Sequence, residues 1–304
     1  MVVSIAIIAG LLAFADLRKL TNLFAQIRPV ELVVAVLLIL SYMALQAAQW
    51  IYLLDHLGVV APRRDALLAF AGGNLTKYLP GGPYVQNYLL YETSGVDPAL
   101  SSVATTLMVL LEPAVALIFL LVLAVDDWGW LRVLLAIALP LVFLFAVGLY
   151  LFIESPHLPG WLTRRRLYLA VADEVVRFRD GLARLADARI LSSTAVLSAA
   201  LVLLEGMALY MVAHALRIDV LSLTSALAAY YFSIGFALII PIFTNLGTLE
   251  AGGVAALIAL DVSREGAVAT FVLDRALIIA MAIVLAGISA VAFRDLLGRA
   301  LRAA

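Results

Sequence analysis

Cysteine is absent from this 304-residue chain, which excludes disulfides and cysteine-based metal sites. Histidine is nearly absent. His56, His157 and His214 are far apart and sit near the ends of apolar segments, so no metal centre is expected from them. Charge is scarce too: 13% of residues are Asp, Glu, Lys or Arg, against about a quarter in an ordinary globular domain. The formal net charge of -1 offers no basic surface for nucleic acid. Catalytic signatures are also missing. There is no Gly-x-Ser-x-Gly elbow, no His-Glu-x-x-His, no P-loop and no glycine-rich dinucleotide fingerprint, so neither a cofactor nor ATP-driven work is expected. No stretch of soluble-domain character is long enough to be a second domain, and 1–304 reads as one unit.

What is there in excess is apolar surface. The chain is 65% hydrophobic, with a mean hydropathy of +1.10, and that excess needs lipid as its solvent. It comes as a series of runs, each near the roughly 20 residues that cross about 30 Å of hydrocarbon. Val2 to Ala15 ends in Ala13-Phe14-Ala15, like a signal-peptidase site, but no basic region precedes it, so it reads as a short, retained first helix. A polar loop at 16–31 follows, then spanning helices at 32–54, 99–125, 131–153, 190–216 and 267–293. Residues 162–189 carry Leu167, Val171, Val175, Phe178, Leu182 and Leu185 at helical spacing among seven arginines. That pattern predicts an amphipathic helix at the cytoplasmic interface. With the Asp126-Asp127 turn outside, this stretch and the basic tail share the cytoplasmic side, whereas the basic 16–31 loop falls on the other side, against the positive-inside rule.

Two segments break the pattern. Between Asp65 and Tyr91 lie Gly72-Gly73, Lys77 and Pro80-Gly81-Gly82-Pro83; between Leu221 and Leu260 lie Pro241 and Thr244-Asn245-Leu246-Gly247. Each reads as two half-helices meeting at a turn. The first prolines stand 32 residues before Glu112 and 33 before Asp274, so 65–125 and 221–293 read as two halves of a repeat. Three crossings between them make the expected fold an all-α polytopic bundle with two re-entrant hairpins in an inverted repeat, a transporter pattern. Broken helices survive in lipid only against protein or a water-filled cavity.

The candidate residues follow from that arrangement. At the first turn, Pro83 is expected to open the second half-helix, pointing the free amides of Tyr84, Val85 and Gln86 inward. At the second, Asn245 or Thr248 is expected as N-cap, with Glu250 close behind. Two such ends suit a phosphate-bearing headgroup that Lys77 would neutralise. The candidate binding residues are therefore Lys77, Pro80, Gly81, Gly82, Tyr84, Gln86, Asn87, Asn245, Thr248 and Glu250, with Tyr78, Tyr84, Tyr88 and Tyr91 along the path. Ionisable groups within membrane segments face a cavity or a partner. Glu112, Glu205, Asp274 and Arg275 are the candidates for a buried or gating charge, with Glu112 and Arg275 as a candidate ion pair.

The stretches Gly73-Asn74-Leu75, Leu79-Pro80-Gly81-Gly82, Leu89-Leu90 and Gly95, then Glu112, resemble the lysylphosphatidylglycerol synthase transmembrane-region family of flippase-like membrane proteins. So do Pro241 and Asn245 to Ala251, then Arg275. The resemblance covers roughly residues 1–295. It implies a bacterial or archaeal cytoplasmic membrane, and movement of an anionic, aminoacylated or polyprenyl-phosphate-linked lipid between leaflets. Where the family's first turn often carries an arginine, Gln86 and Asn87 stand here, so no phosphate-binding arginine is carried over. Members that make aminoacylated lipid carry a large soluble synthase domain; with the chain ending at Ala304, aminoacyl transfer is not expected. Two other classes stay open: a non-catalytic partner of a lipid or glycan biosynthetic enzyme, and a membrane-embedded enzyme acting on lipid headgroups.

Overall fold

The computed structural model describes residues 15–78, 81–123, 166–239 and 247–294, with Gly10, Pro140, Leu144 and Gly148 as isolated positions. The rest of the first apolar segment and of the 131–153 helix lies outside the described residues, as do Pro80, the Asp126-Asp127 turn, Pro241 to Leu246 and the tail beyond Arg294. Everything described is helix, turn or loop, with no strand among the described residues. The ten α-helices among the described residues are α1 (Leu17–Ala25), α2 (Pro29–His56), α3 (Arg63–Asn74), α4 (Val85–Ser94), α5 (Pro98–Leu123), α6 (Arg166–Leu185), α7 (Ala188–Ala215), α8 (Leu223–Ile239), α9 (Thr248–Ala259) and α10 (Arg264–Ala292).

Local chemistry sets the boundaries. Pro29 opens α2, where its missing amide costs nothing. Asp187 caps α7 by accepting from the amides of Arg189 and Ile190, and Ser263 caps α10 by accepting from Gly266. Gly95, left-handed at φ 67°, ends α4. The 16–31 stretch, expected as a loop, holds a helix instead. Asp16 accepts from the Arg18 and Lys19 amides and starts α1, and Leu20 buries against the core.

Helices α2, α5, α7 and α10 are long and apolar enough to cross a membrane. At about 1.5 Å per residue each reaches roughly 40 Å, more than the hydrocarbon core. Their outward faces expose apolar residues such as Val33, Leu37, Ile118, Leu121, Val196 and Ile283. Polar side chains turn inward. Gln49 on α2 donates from Nε2 to the Thr194 carbonyl (3.1 Å) and Ser198 Oγ (2.9 Å) of α7, a pairing that apolar surroundings hold together because the alternative is an unmet amide.

Contacts at the helix ends sort the bundle into two ends. At one, Arg177 of α6 lies 2.8 Å from Asp97 at the start of α5, and Arg184 donates to the Leu57 carbonyl just past α2. At the other, the Arg28 amide donates to the Ala215 carbonyl at the end of α7. There the Arg28 guanidinium grips Asp219 through both carboxylate oxygens, at 2.8 and 2.9 Å, and Lys19 pairs with Glu265 at the start of α10. Helix α10 runs back to the first end, where Ser289 donates to the Leu68 carbonyl of α3. The α3–α4 pair therefore opens at the α6 end, with Ser94 bonded to Asp65. The α8–α9 pair opens at the opposite end, between α7 and α10.

Candidate functional site

The two pairs of short helices, α3–α4 and α8–α9, each contribute residues to one cavity. In the first, α3 ends at Asn74 and tightens into a 3-10 turn over Leu75–Tyr78. Gly81 then turns the chain with φ 72°, and a second 3-10 turn, Gly82–Tyr84, feeds α4. The Thr76 hydroxyl reaches both the Gly73 carbonyl (2.7 Å) and the Gly82 carbonyl (3.0 Å), strapping the turn shut. No side chain fits at Gly82, where a Cβ would lie 1.6 Å from the Thr76 carbonyl oxygen. Gly73 lets α4 approach so closely that a Cβ there would lie 2.7 Å from Gln86 Cβ.

The inward amides expected at this turn are mostly spent. Tyr84 N–H donates to the Gly81 carbonyl and Val85 N–H to the Gly82 carbonyl, because the chain enters α4 through a 3-10 turn rather than directly at Pro83. The second closed end also differs from expectation. Its N-cap is Gly247, held at φ 96°, and Thr248 is the first helical residue. Glu250 reaches back to accept the Gly247 amide, so the start of α9 is served by its own carboxylate. The other Glu250 oxygen stands 2.8 Å from Arg275 Nε on α10, an ion pair inside the bundle. Arg275 thus pairs with Glu250, its neighbour across the α9–α10 packing.

A cavity of about 220 Å³ is lined by Tyr42 and Gln46 of α2, Asn74, Lys77, Pro83 and Gln86 of the first pair, Glu112 and Pro113 of α5, Glu205 of α7, Tyr230 and Leu238 of α8, Leu249 and Arg275. It lies near mid-depth: Glu112 is 14 residues into α5 and Arg275 is 11 residues into α10, from opposite ends. At about 1.5 Å per residue those are depths of roughly 21 and 16 Å. Tyr42 Oη donates to Glu112 Oε1 at 3.2 Å and Gln46 Nε2 approaches Oε2 at 3.4 Å. Lys77 Nζ sits 5.3 Å from the centre of the Tyr42 ring, a cation–π contact. Glu205 and Lys77 are the charges facing Glu112. Pro113, inside α5, has no amide to give the Val109 carbonyl, and both residues line the cavity.

The family model described as the lysylphosphatidylglycerol synthase TM region matches residues 1–287. The chain belongs to that family. No curated protein matches it. The family membership and the four apolar helices together make it a multi-pass membrane protein.

In this member of the lysylphosphatidylglycerol synthase transmembrane-region family, the cavity gathers Lys77, Gln86, Glu112, Glu205 and Arg275 from the expected residues. Others serve as framework. Gly81 and Gly82 shape the turn, Asn87 bonds Ser102 and Thr105 of α5, and Thr248 and Glu250 build the start of α9. Asp274 is buried beside Arg275, facing Glu205 and Glu250. Tyr84, Tyr88 and Tyr91 are exposed on the outer surface and do not line the cavity; Pro80, Asn245 and the Tyr78 side chain lie outside the described residues. Sequence reasoning missed Tyr42, Gln46 and Asn74. A Tyr-x-x-x-Gln step on an apolar helix, both residues on one face, was the available signal for the first two.

Proposed function

We propose that this protein is a lipid translocase without an energy source of its own, and that the mid-depth cavity receives the polar headgroup of an anionic or phosphate-linked lipid. The observation that carries the reading is the cavity itself, a largely apolar wall carrying Lys77, Glu112, Glu205 and Arg275, between two short-helix pairs that open at opposite ends of the bundle. Read as re-entrant hairpins, the pairs form an inverted arrangement, and rocking of one half against the other would expose the cavity to each leaflet in turn. Helices α3 and α4, of 12 and 10 residues, reach about 18 and 15 Å, half a bilayer each. Lys77 supplies positive charge for a phosphate. Glu112 and Glu205 oppose it and bias the cavity toward the empty state between cycles, so that a headgroup binds and leaves. The acyl or prenyl chains stay in lipid against the outward apolar faces.

The test is headgroup exposure in proteoliposomes. Fluorescent phosphatidylglycerol and a fluorescent short polyprenyl phosphate are reconstituted with the full chain and bleached from outside by dithionite. Bleaching beyond the outer-leaflet half, slowed at least about tenfold in Lys77→Ala and Glu112→Gln and unchanged in Val60→Ala, is expected. Bleaching no faster than in protein-free vesicles for both lipids overturns the reading.

A further inference from the structure

The charges around the cavity do not cancel. Lys77 and Arg275 stand against four carboxylates: Glu112 and Glu205 on the cavity wall, and Glu250 and Asp274 buried behind it. Arg275 and Glu250 neutralise each other as an ion pair, which leaves Lys77 against Glu112, Glu205 and Asp274. These groups come from every helix around the cavity and face one another. Glu112 on α5 faces Glu205 on α7 and Lys77 just past α3, and takes hydrogen bonds from Tyr42 and Gln46 of α2. Glu205 bonds Tyr230 of α8 and faces Asp274 on α10, which also faces Glu250 of α9. The first pair adds a neutral amide, Gln86 of α4.

Uncompensated charge at mid-depth is costly, because apolar walls have replaced water. Three carboxylates sharing one lysine therefore need a further cation. A metal ion is poorly served: among the described residues no three Asp, Glu or His side chains gather to hold one, and Lys77 repels it. A proton needs only a carboxylate oxygen. The demand grows when an anion enters. Lys77 can neutralise one anion, so a phosphate that takes it leaves a glutamate without counter-charge in a largely apolar wall. Resting on the headgroup reading above, we infer that headgroup and proton travel together, with Glu112 and Glu205 as the proton carriers. As the phosphate arrives, a carboxylate on the cavity wall takes a proton from water on the loading side and becomes a neutral acid. As the phosphate leaves, that O–H bond breaks and the proton returns to water on the other side; no other bond changes. A transmembrane proton gradient then drives the lipid toward the more alkaline side. Glu250 is held by Arg275 and the Gly247 amide, and Asp274 does not line the cavity, so neither is the carrier.

The experiment measures binding to the full chain in detergent with dihexanoyl phosphatidylglycerol and citronellyl methyl phosphate. Both are phosphodiesters that keep their charge across the neutral range, so a proton taken up on binding belongs to the protein. Calorimetry in buffers of different ionisation enthalpy counts that uptake. Wild type is expected to take up protons and to bind at least about tenfold more tightly at about pH 6 than at about pH 8. Glu112→Gln and Glu205→Gln, each fixing one side chain in a neutral form, reduce the uptake and flatten the dependence, and the double variant abolishes both. The wild-type uptake decides the matter even if a variant does not fold. In proteoliposomes with an alkaline interior, fluorescent phosphatidylglycerol is expected to move inward, leaving less than half within reach of a brief dithionite pulse, and a protonophore restores the half. Binding without proton uptake, or an even lipid distribution under the gradient, overturns the coupling while leaving the headgroup cavity standing. Binding that follows sodium instead of pH overturns it in the same way. Failure of both probes to bind at any pH overturns the headgroup cavity and the coupling together.

Discussion

Neutralising Glu250 as glutamine keeps an oxygen for the Gly247 amide but removes the Glu250 charge from its pair with the buried Arg275 guanidinium. Breaking one side of such a pair costs about 3–5 kcal/mol. Glu250→Gln and Arg275→Gln are each expected to lose stability of that order, and the double variant less than the two together, in a double-mutant cycle read by chemical unfolding in mixed micelles. Strict additivity would mean that the pair does not interact. A second contrast sits at the first turn. Gly82→Ala drives a Cβ into the Thr76 carbonyl, 1.6 Å away, and is expected to cost about 3 kcal/mol or more. Gly81→Ala has open space around it and meets only the left-handed φ, worth about 1–2 kcal/mol. Thermal unfolding of the two variants ranks them. That the chain breaks here was legible, because Pro80-Gly81-Gly82-Pro83 puts the two poorest helix formers at four successive positions. The pairing of Arg275 was not. Equal spacing of Glu112 and Arg275 from the two prolines gives depth along the chain but says nothing about which way a helix face turns. Asn74 was equally hidden, since an asparagine at a helix end reads as an ordinary cap until its burial is known.

Helix α6 shows how an amphipathic element joins a membrane bundle. Leu182 and Leu185 bury with Leu57 and Val103, and Gly181 lets the helix lie close enough that a Cβ would meet Val103 Cγ2 at 2.9 Å. Arg177 pairs with Asp97, and Arg184 donates to the Leu57 carbonyl. Gly181→Leu is expected to lift α6 from the bundle and speed tryptic cleavage within 173–189 at least about tenfold, as local opening exposes the helix. An unchanged cleavage rate would show that the close approach does not hold α6 in place. The stripe of apolar residues predicted this helix, but which end of the bundle it covers depended on the Arg184–Leu57 and Arg177–Asp97 contacts, which no periodicity reveals. At the opposite end, the hydrogen bond from Arg28 holds the Asp219 carboxyl below the usual aspartate range. A depressed folded value means that this grip is in force above the ordinary aspartate pKa, about 3.9, and is lost as pH falls through the lower folded value. The midpoint of thermal unfolding should lose its steepest acid dependence below about pH 4 in Asp219→Asn, and keep its neutral-pH plateau flat in both forms. An acid dependence identical in the two forms would leave the grip without a part in it.

At the scale of the whole molecule, the question is whether the two short-helix pairs enter from opposite faces. The end contacts support the proposed inverted arrangement. Residues 57–62 lead into the first pair from the α6 end, and residues 216–222 lead into the second from the end where Arg28 meets Asp219. The expected repeat rests on spacing alone in the sequence, because inversion is decided by how many segments cross between the two copies, and composition does not fix their directions. The lack of cysteine makes the point directly testable. Val60 and Val220 are exposed loop residues, 94% and 68% accessible, each just before one of the pairs. Val60→Cys and Val220→Cys are therefore near-neutral reporters in a chain with no other thiol. With a membrane-impermeant maleimide, Val60→Cys is expected to label only in inverted vesicles, on the cytoplasmic side where the arginine-rich α6 belongs by the positive-inside rule, and Val220→Cys only in right-side-out vesicles. Labelling of both from one side would place both openings in the same leaflet space. A single cavity approached from one face would then hold a headgroup without handing it across, and the chain would act as a lipid-binding partner rather than a translocase.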